Sequence, residues 1–321
     1  MDRREAVKWM GAAALTALTS PVIAEDQGVI RIIVPYVAGG TTDTIARLLA
    51  ASMQQTLNRN VIVENKPGAT GLIGTKYVQL AAPDGNTVLF HNSGMVALPM
   101  LQKSANYDTI KDFDAVCDIG ETPSYLMVND RVPAKNMTEF LAWARSTTDR
   151  IECANAGINS GGHLLAQMLE KLAGIKLLHV PFKGQAEVTL AMISGDVKMN
   201  ISTTTEALTP YIKEGKIKIL GVSTKTPSQL LPDVPPIADT VPGFLYLGWF
   251  GIFSPAHTPL EVRQKLASAI QTALNAPTTK KRIEALYFEV TYKGPEEFAK
   301  VVQESTEFNK KLINMLGITS L

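Results

Sequence analysis

Short apolar runs alternate along this chain with segments whose apolar residues recur at helical spacing. That alternation restricts the fold more than any other feature. Residues 30–34, IRIIV, are nearly continuous in apolar character, as in a strand covered on both faces. From residue 44 onward Ile45, Leu48, Leu49, Met53 and Leu57 fall on one helical stripe. VIVEN at 61–65 predicts a second strand, KPGATG a turn, 74–82 a short helix ended by Pro83-Asp84-Gly85, and TVLF at 87–90 a third strand. Repeated β-α-β of this kind predicts a parallel sheet with helices on its faces.

The pattern restarts after Pro123. YLMVN reads as a strand, and a helix starts near Asn136 or Met137. A strand at 151–157, a helix at 163–172, the strand KLLHVPF, a helix at 187–193, the strand VKMNIS and a strand at 216–223 follow. LLPDVPPIADTVPGF, rich in proline, is the best candidate connector. The chain then returns to GWFGIFSP and two helices, at 260–274 and 295–316. The 321 residues suit one large domain or two of ordinary size. No repeat of solenoid length is present, but two similar strand-turn-helix units are, near Gly39 and near Gly161. A formal charge of +1 gives no basic surface for nucleic acid.

The first residues read as a leader. A short charged segment is followed by WMGAAALTALTS, the length of a signal-peptide core, and Val22-Ile23-Ala24 offers small residues for cleavage after Ala24. Arg3-Arg4 followed by Val7-Lys8 loosely resembles a twin-arginine signal, and an ordinary secretory signal fits as well. The apolar run is short for a bilayer span, so a soluble, exported mature chain is expected. Two cysteines, Cys117 and Cys153, could form a disulfide in an oxidising compartment or remain buried thiols.

The glycine turns carry the chemistry. In VPYVAGGTTDTIARLLA, a strand meets Gly39-Gly40 and a polar cluster, Thr41, Thr42 and Asp43, that opens a helix. Unpaired N–H groups at a helix start can hold an anion, and the same residues can simply cap the helix. The phosphate-loop lysine and the GxGxxG spacing are both absent, so no nucleotide cofactor is expected. The second turn, NAGINSGGHLL, repeats the arrangement with Gly157, Asn159, Ser160, Gly161 and His163. Its serine lacks the GxSxG elbow spacing, which leaves a hydrolase using Ser160 and His163 as the rival class. The four histidines show no HxxxH pair, so no metal site is expected. Ligands in open parallel sheets sit beyond strand C-termini, which draws in Asn92 and Ser93; Thr203 follows its strand in the same style.

Several ordered motifs together resemble the Bug-type receptors of tripartite tricarboxylate transporters, a family of extracytoplasmic solute-binding proteins. VPYVAGGTTD, VENKPGATGLIGT, APDGNTVLF, AGINSGGHL, VPFKG, LPDVPPIADTVPGF and WFGIFSPAHTP carry the resemblance across almost all of the mature chain. Phe182 stands where the family commonly has tyrosine, and Thr203-Thr204 replaces a segment that often holds a carboxylate. The resemblance implies a type II periplasmic-binding fold, with two α/β lobes joined by crossing strands and a ligand cleft between them. Lobe one would be 25–125 plus 245–321, and lobe two 126–244. A small carboxylate would be held by Tyr36, Gly39, Gly40, Thr41, Thr42 and Asp43 from one side and by Gly157, Asn159, Ser160, Gly161 and His163 from the other, with Phe182 and Thr203 nearby. Asp43 would organise its loop, since a free carboxylate would repel an anion. The implied role is a monomeric periplasmic receptor, not an enzyme, serving a membrane transporter or, alternatively, a signalling protein.

Overall fold

The computed structural model describes residues 28–318. The leader and its cleavage point lie outside them. The first part of the chain forms β1 (Ile30–Val34), α1 (Thr41–Leu57), β2 (Val61–Asn65), α2 (Leu72–Gln79), β3 (Thr87–Asn92), α3 (Gly94–Leu101) and β4 (Phe113–Thr122). The middle forms β5 (Tyr125–Asn129), α4 (Met137–Ser146), β6 (Glu152–Asn155), α5 (Gly161–Ala173), β7 (Leu178–Pro181), α6 (Gln185–Ser194), β8 (Met199–Ser202), α7 (Thr209–Lys213) and β9 (Ile217–Val222). The last part forms β10 (Gly248–Pro255), α8 (Leu260–Asn275), α9 (Pro277–Glu284) and α10 (Pro295–Leu316).

Local chemistry sets several boundaries. Asn136 Oδ1 accepts the Glu139 N–H at 2.9 Å while Glu139 Oε2 accepts that of Lys135 at 2.8 Å, a reciprocal cap that starts α4. Ser160 caps α5, and Gly174 in the left-handed region ends it. Pro295 opens α10 and Gly317 closes it, the common proline-first, glycine-last asymmetry.

Two five-stranded sheets result, ordered β2-β1-β3-β10-β4 and β7-β6-β8-β5-β9. The parallel sheet expected from the sequence needs correcting, because both sheets are mixed. β2, β1 and β3 are parallel, but β10 runs antiparallel to both β3 and β4. Likewise β7, β6 and β8 are parallel and β5 opposes β8 and β9. The opposing strand in each sheet is the one that arrives from the other half of the chain. β4 passes into β5 through only Pro123 and Ser124, and the segment after β9 returns to β10.

Those crossings are tied at Ser223. Its N–H donates to Ser124 O at 2.8 Å, and its Oγ accepts the Ser124 N–H at 2.9 Å and donates to Tyr246 O at 2.7 Å. Its carbonyl accepts the Tyr246 N–H at 2.9 Å. Each sheet has its own apolar core, and Cys117 and Cys153 are buried free thiols in different cores. α10 serves both halves: Phe298 and Val302 pack with Trp249 and Phe253 under the first sheet, and Leu312 packs into the core of the second. No described helix is long and apolar enough to cross a membrane.

Candidate ligand cleft

The turn after β1 is held from behind. Asp43, buried in the first turn of α1, accepts the Gly39 N–H at 2.9 Å, the Asn65 amide at 2.9 Å and the Arg47 guanidinium at 2.9 and 3.1 Å. Burial alone would raise its carboxyl pKa, but the Arg47, Gly39 and Asn65 donors outweigh that and hold it below its ordinary value. Gly39 adopts φ +85, which favours glycine. Asn65 also donates to Tyr36 O at 3.1 Å, fixing the strand exit. The Tyr36 hydroxyl donates to Asn92 Oδ1 at 3.1 Å, and that oxygen also accepts the Gly94 N–H at 2.9 Å. Behind them His91 is fully buried, and burial pushes its pKa down to about 4.

The turn after β6 is built the same way from other residues. Asn155 Oδ1 accepts the Gly157 N–H at 3.2 Å, Ser160 Oγ accepts the His163 N–H at 3.4 Å, and His163 Nδ1 accepts the Asn159 N–H at 3.0 Å. The rival hydrolase would need an imidazole nitrogen facing Ser160 Oγ. Here the Ser160 hydroxyl caps a helix, and Nδ1 is occupied by a backbone amide.

The two turns meet around a cavity of about 120 Å³. That volume holds on the order of ten water-sized groups, the scale of a small organic acid. Tyr36, Gly40, Thr41, Thr42, Asn92, Ser93, Asn159, Ser160, Gly161 and Thr203, all expected from the sequence, line it. Gly39, Asp43, Gly157, His163 and Phe182 do not; the first four stand in the turns that shape its wall. Sequence reasoning missed Gln185, Thr70, Asn155 and Asn200, and also Ser124, Tyr246 and Phe250 on or beside the crossing segments. Gln185 had a legible signal: Gly184-Gln185 is a third glycine turn leading into a helix.

Among the described residues, the cavity lining contains no Asp, Glu, Lys, Arg or His. Instead α1, α3, α5 and α6 all begin at its wall, with Gly40 to Thr42, Gly94, Gly161 and Gln185 as the contributing positions. Each helix start favours a negative charge by about 0.3–1 kcal/mol at the surface, and by more when desolvated. The lobes touch directly across the mouth. Thr41 Oγ1 donates to Thr204 O at 2.6 Å and Thr70 Oγ1 to Ile158 O at 3.1 Å. Val37 fills the space that a side chain on Gly184 would occupy. The described state is therefore closed. Among the described residues no cluster of three His, Cys, Asp or Glu side chains could hold a metal ion.

Comparison with known proteins places this geometry. The description "Tripartite tricarboxylate transporter family receptor" matches residues 45–318. The solved structure of the periplasmic binding protein BugD is 31% identical, with a TM-score of 0.84 over 91% of this chain and 99% of that one. MatC of Rhodopseudomonas palustris, solved with bound malate, is 30% identical, with a TM-score of 0.81 over 89% and 98% of the two chains. Rpa4515 of R. palustris, solved with adipate, is 26% identical, with a TM-score of 0.85 over 91% and 98%. The two-lobed α/β architecture is thus that of the periplasmic binding proteins.

Proposed function

The chain belongs to the tripartite tricarboxylate transporter receptor family, and on that premise we propose that it captures a small carboxylate in the periplasm and presents it to a membrane transporter. The observation that carries this reading is the uncharged cavity at which four helices begin. Such a cavity rewards an anion through neutral donors and sets no carboxylate against a cation. The ligand holders are the cavity-lining residues of the two glycine turns, with Asp43 and His163 supporting them from behind. Capture draws the lobes together about the crossing segments, a hinge-type closure. The receptor acts as a monomer and carries out no chemistry on its ligand.

A thermal-shift screen of carboxylates that includes malate and adipate tests this. A ligand that binds only the native state raises the melting temperature by an amount that grows with the logarithm of its concentration over Kd. At least one acid is expected to do so, and a panel with no shift would overturn the reading. The contact across the mouth gives a second test. Thr41→Val keeps the side-chain shape and removes the hydroxyl that reaches Thr204 O. Binding of the acid found in the screen is expected to weaken roughly fivefold, as for one hydrogen bond lost from the closed state alone. Unchanged affinity by calorimetry would separate that contact from closure.

A further inference from the structure

The loop that brings Asn159 and Ser160 to the cavity depends on an unusual acceptor. Asn159 lies in the left-handed region at φ +64, and its N–H points back onto Nδ1 of His163 at 3.0 Å. A ring nitrogen that accepts must carry a lone pair, so the imidazole is neutral with its proton on Nε2. Its surroundings favour that form. The ring is buried in the first turn of α5, where the positive helix end disfavours a cation. His179, on β7, stands edge-on to it with centroids 4.8 Å apart. The opposing charge is Glu170, on α5 itself. Its Oε2 lies 2.7 Å from His179 Nε2, and its Oε1 accepts the Leu177 N–H at 2.7 Å. Burial is the largest cause lowering the His163 pKa, His179 adds to it, and Glu170 opposes both.

We infer that His163 is a positioning residue for this half of the cavity: its neutral Nδ1 fixes Asn159 and the amides that open α5, and protonation of Nδ1 releases them. The inference rests on the receptor reading of the cavity. A proton on Nδ1 would set two N–H groups face to face across 3.0 Å. The loop must then turn the Asn159 amide away, and the left-handed residue loses the bond that holds it. The sign follows from the lowered pKa. The closed loop takes up the proton less readily than an open or unfolded one, so its contribution is complete above the ordinary histidine range. It is lost as pH falls from that range through the lower pKa of the closed loop. Ligand affinity falls with it, in addition to any loss from the ligand's own carboxyl groups.

Calorimetric titrations with malate and with adipate at about pH 7.5 and about pH 5 test this, on the wild type, His163→Phe and His163→Asn. Phenylalanine fills the site without an acceptor and is expected to weaken binding roughly tenfold at the higher pH. Asparagine offers an oxygen to the same amide and does not titrate, so it recovers most of that loss. Its affinity ratio between the two pH values is expected to be roughly tenfold smaller than that of the wild type. Each ratio uses one acid, so the acid's own titration cancels. Equal ratios in the wild type and His163→Asn would overturn the inference. If neither acid binds the wild type, the receptor reading fails for those acids, and hydrogen exchange of the Asn159 amide in the ligand-free protein decides the rest. Protection that declines towards acid in the wild type but not in His163→Asn supports the role; equal protection in both would overturn it.

Discussion

Asp43→Ala is expected to lower ligand affinity roughly a hundredfold, although it removes a negative charge from the neighbourhood of a bound anion. Two effects oppose each other here. The Asp43 carboxylate repels an anion, but the Arg47 guanidinium at 2.9 Å already neutralises it, so little field is left to remove. The structural effect is larger. Gly39 N–H and the Asn65 amide both donate to this buried carboxylate, and alanine leaves both without their charged acceptor. A hydrogen bond to a charged group contributes about 1.5–3 kcal/mol, so losing this pair is enough for the roughly 2.7 kcal/mol that a hundredfold loss represents. The turn that carries Gly40 and Thr41 to the cavity wall would then lose its support. Calorimetry with the acid identified by thermal shift reads this directly. Tighter binding in Asp43→Ala would mean that charge repulsion dominates and that the carboxylate is not the loop's organiser.

The second large effect concerns stability. Gly251 on β10 leaves a gap in the first sheet that the Phe298 ring fills; a Cβ built there would stand 2.0 Å from Phe298 Cζ. Phe298 is fully buried and packs against Trp249 and Phe253, with ring centroids 5.2 and 5.0 Å away. Gly251→Val therefore cannot be absorbed by one rotamer change. A cost of about 3 kcal/mol is expected, with a melting temperature lower by roughly 5–10 °C. A double-mutant cycle gives the sharper measurement. Phe298→Ala should cost far less in the Gly251→Val background than in the wild type, because the valine takes up part of the vacated volume. Additive losses would place the damage elsewhere in β10. Because Phe298 anchors the start of the helix that packs on both cores, binding should suffer along with stability.

Most strands and both glycine turns were legible because their signals are local. Residues 30–34 and 61–65 form strands within the expected limits, and the strand ends at Asn92 and Thr203 do reach the cavity. What escaped is non-local. Strand direction depends on which lobe a strand comes from, and nothing within GWFGIFSP or YLMVN states that; hence a parallel sheet was expected where both are mixed. Tyr246 and Phe250 reach the cavity only because the chain crosses twice, so their spacing from the glycine turns carries no signal. α3 was missed because Pro99 lies inside it, and β4 because Asp114, Asp118 and Glu121 interrupt its apolar pattern. Asp43 could be assigned from electrostatics alone, since an acid beside an anion site needs a reason to be there. The orientation of His163 could not, because four residues of spacing does not reveal which nitrogen faces which amide.

The uncharged lining of the cavity also bears on ionic strength. Attraction between mobile surface charges fades as dissolved ions accumulate, because those ions screen it within about 10 Å at 0.1 M salt. Helix starts and hydroxyls buried between closed lobes are shielded from that screening, since no salt ion shares the space with the ligand. A grip built this way keeps nearly the same strength in dilute and in saline surroundings. A receptor relying on exposed lysines would lose its hold as the medium outside the cell became more concentrated.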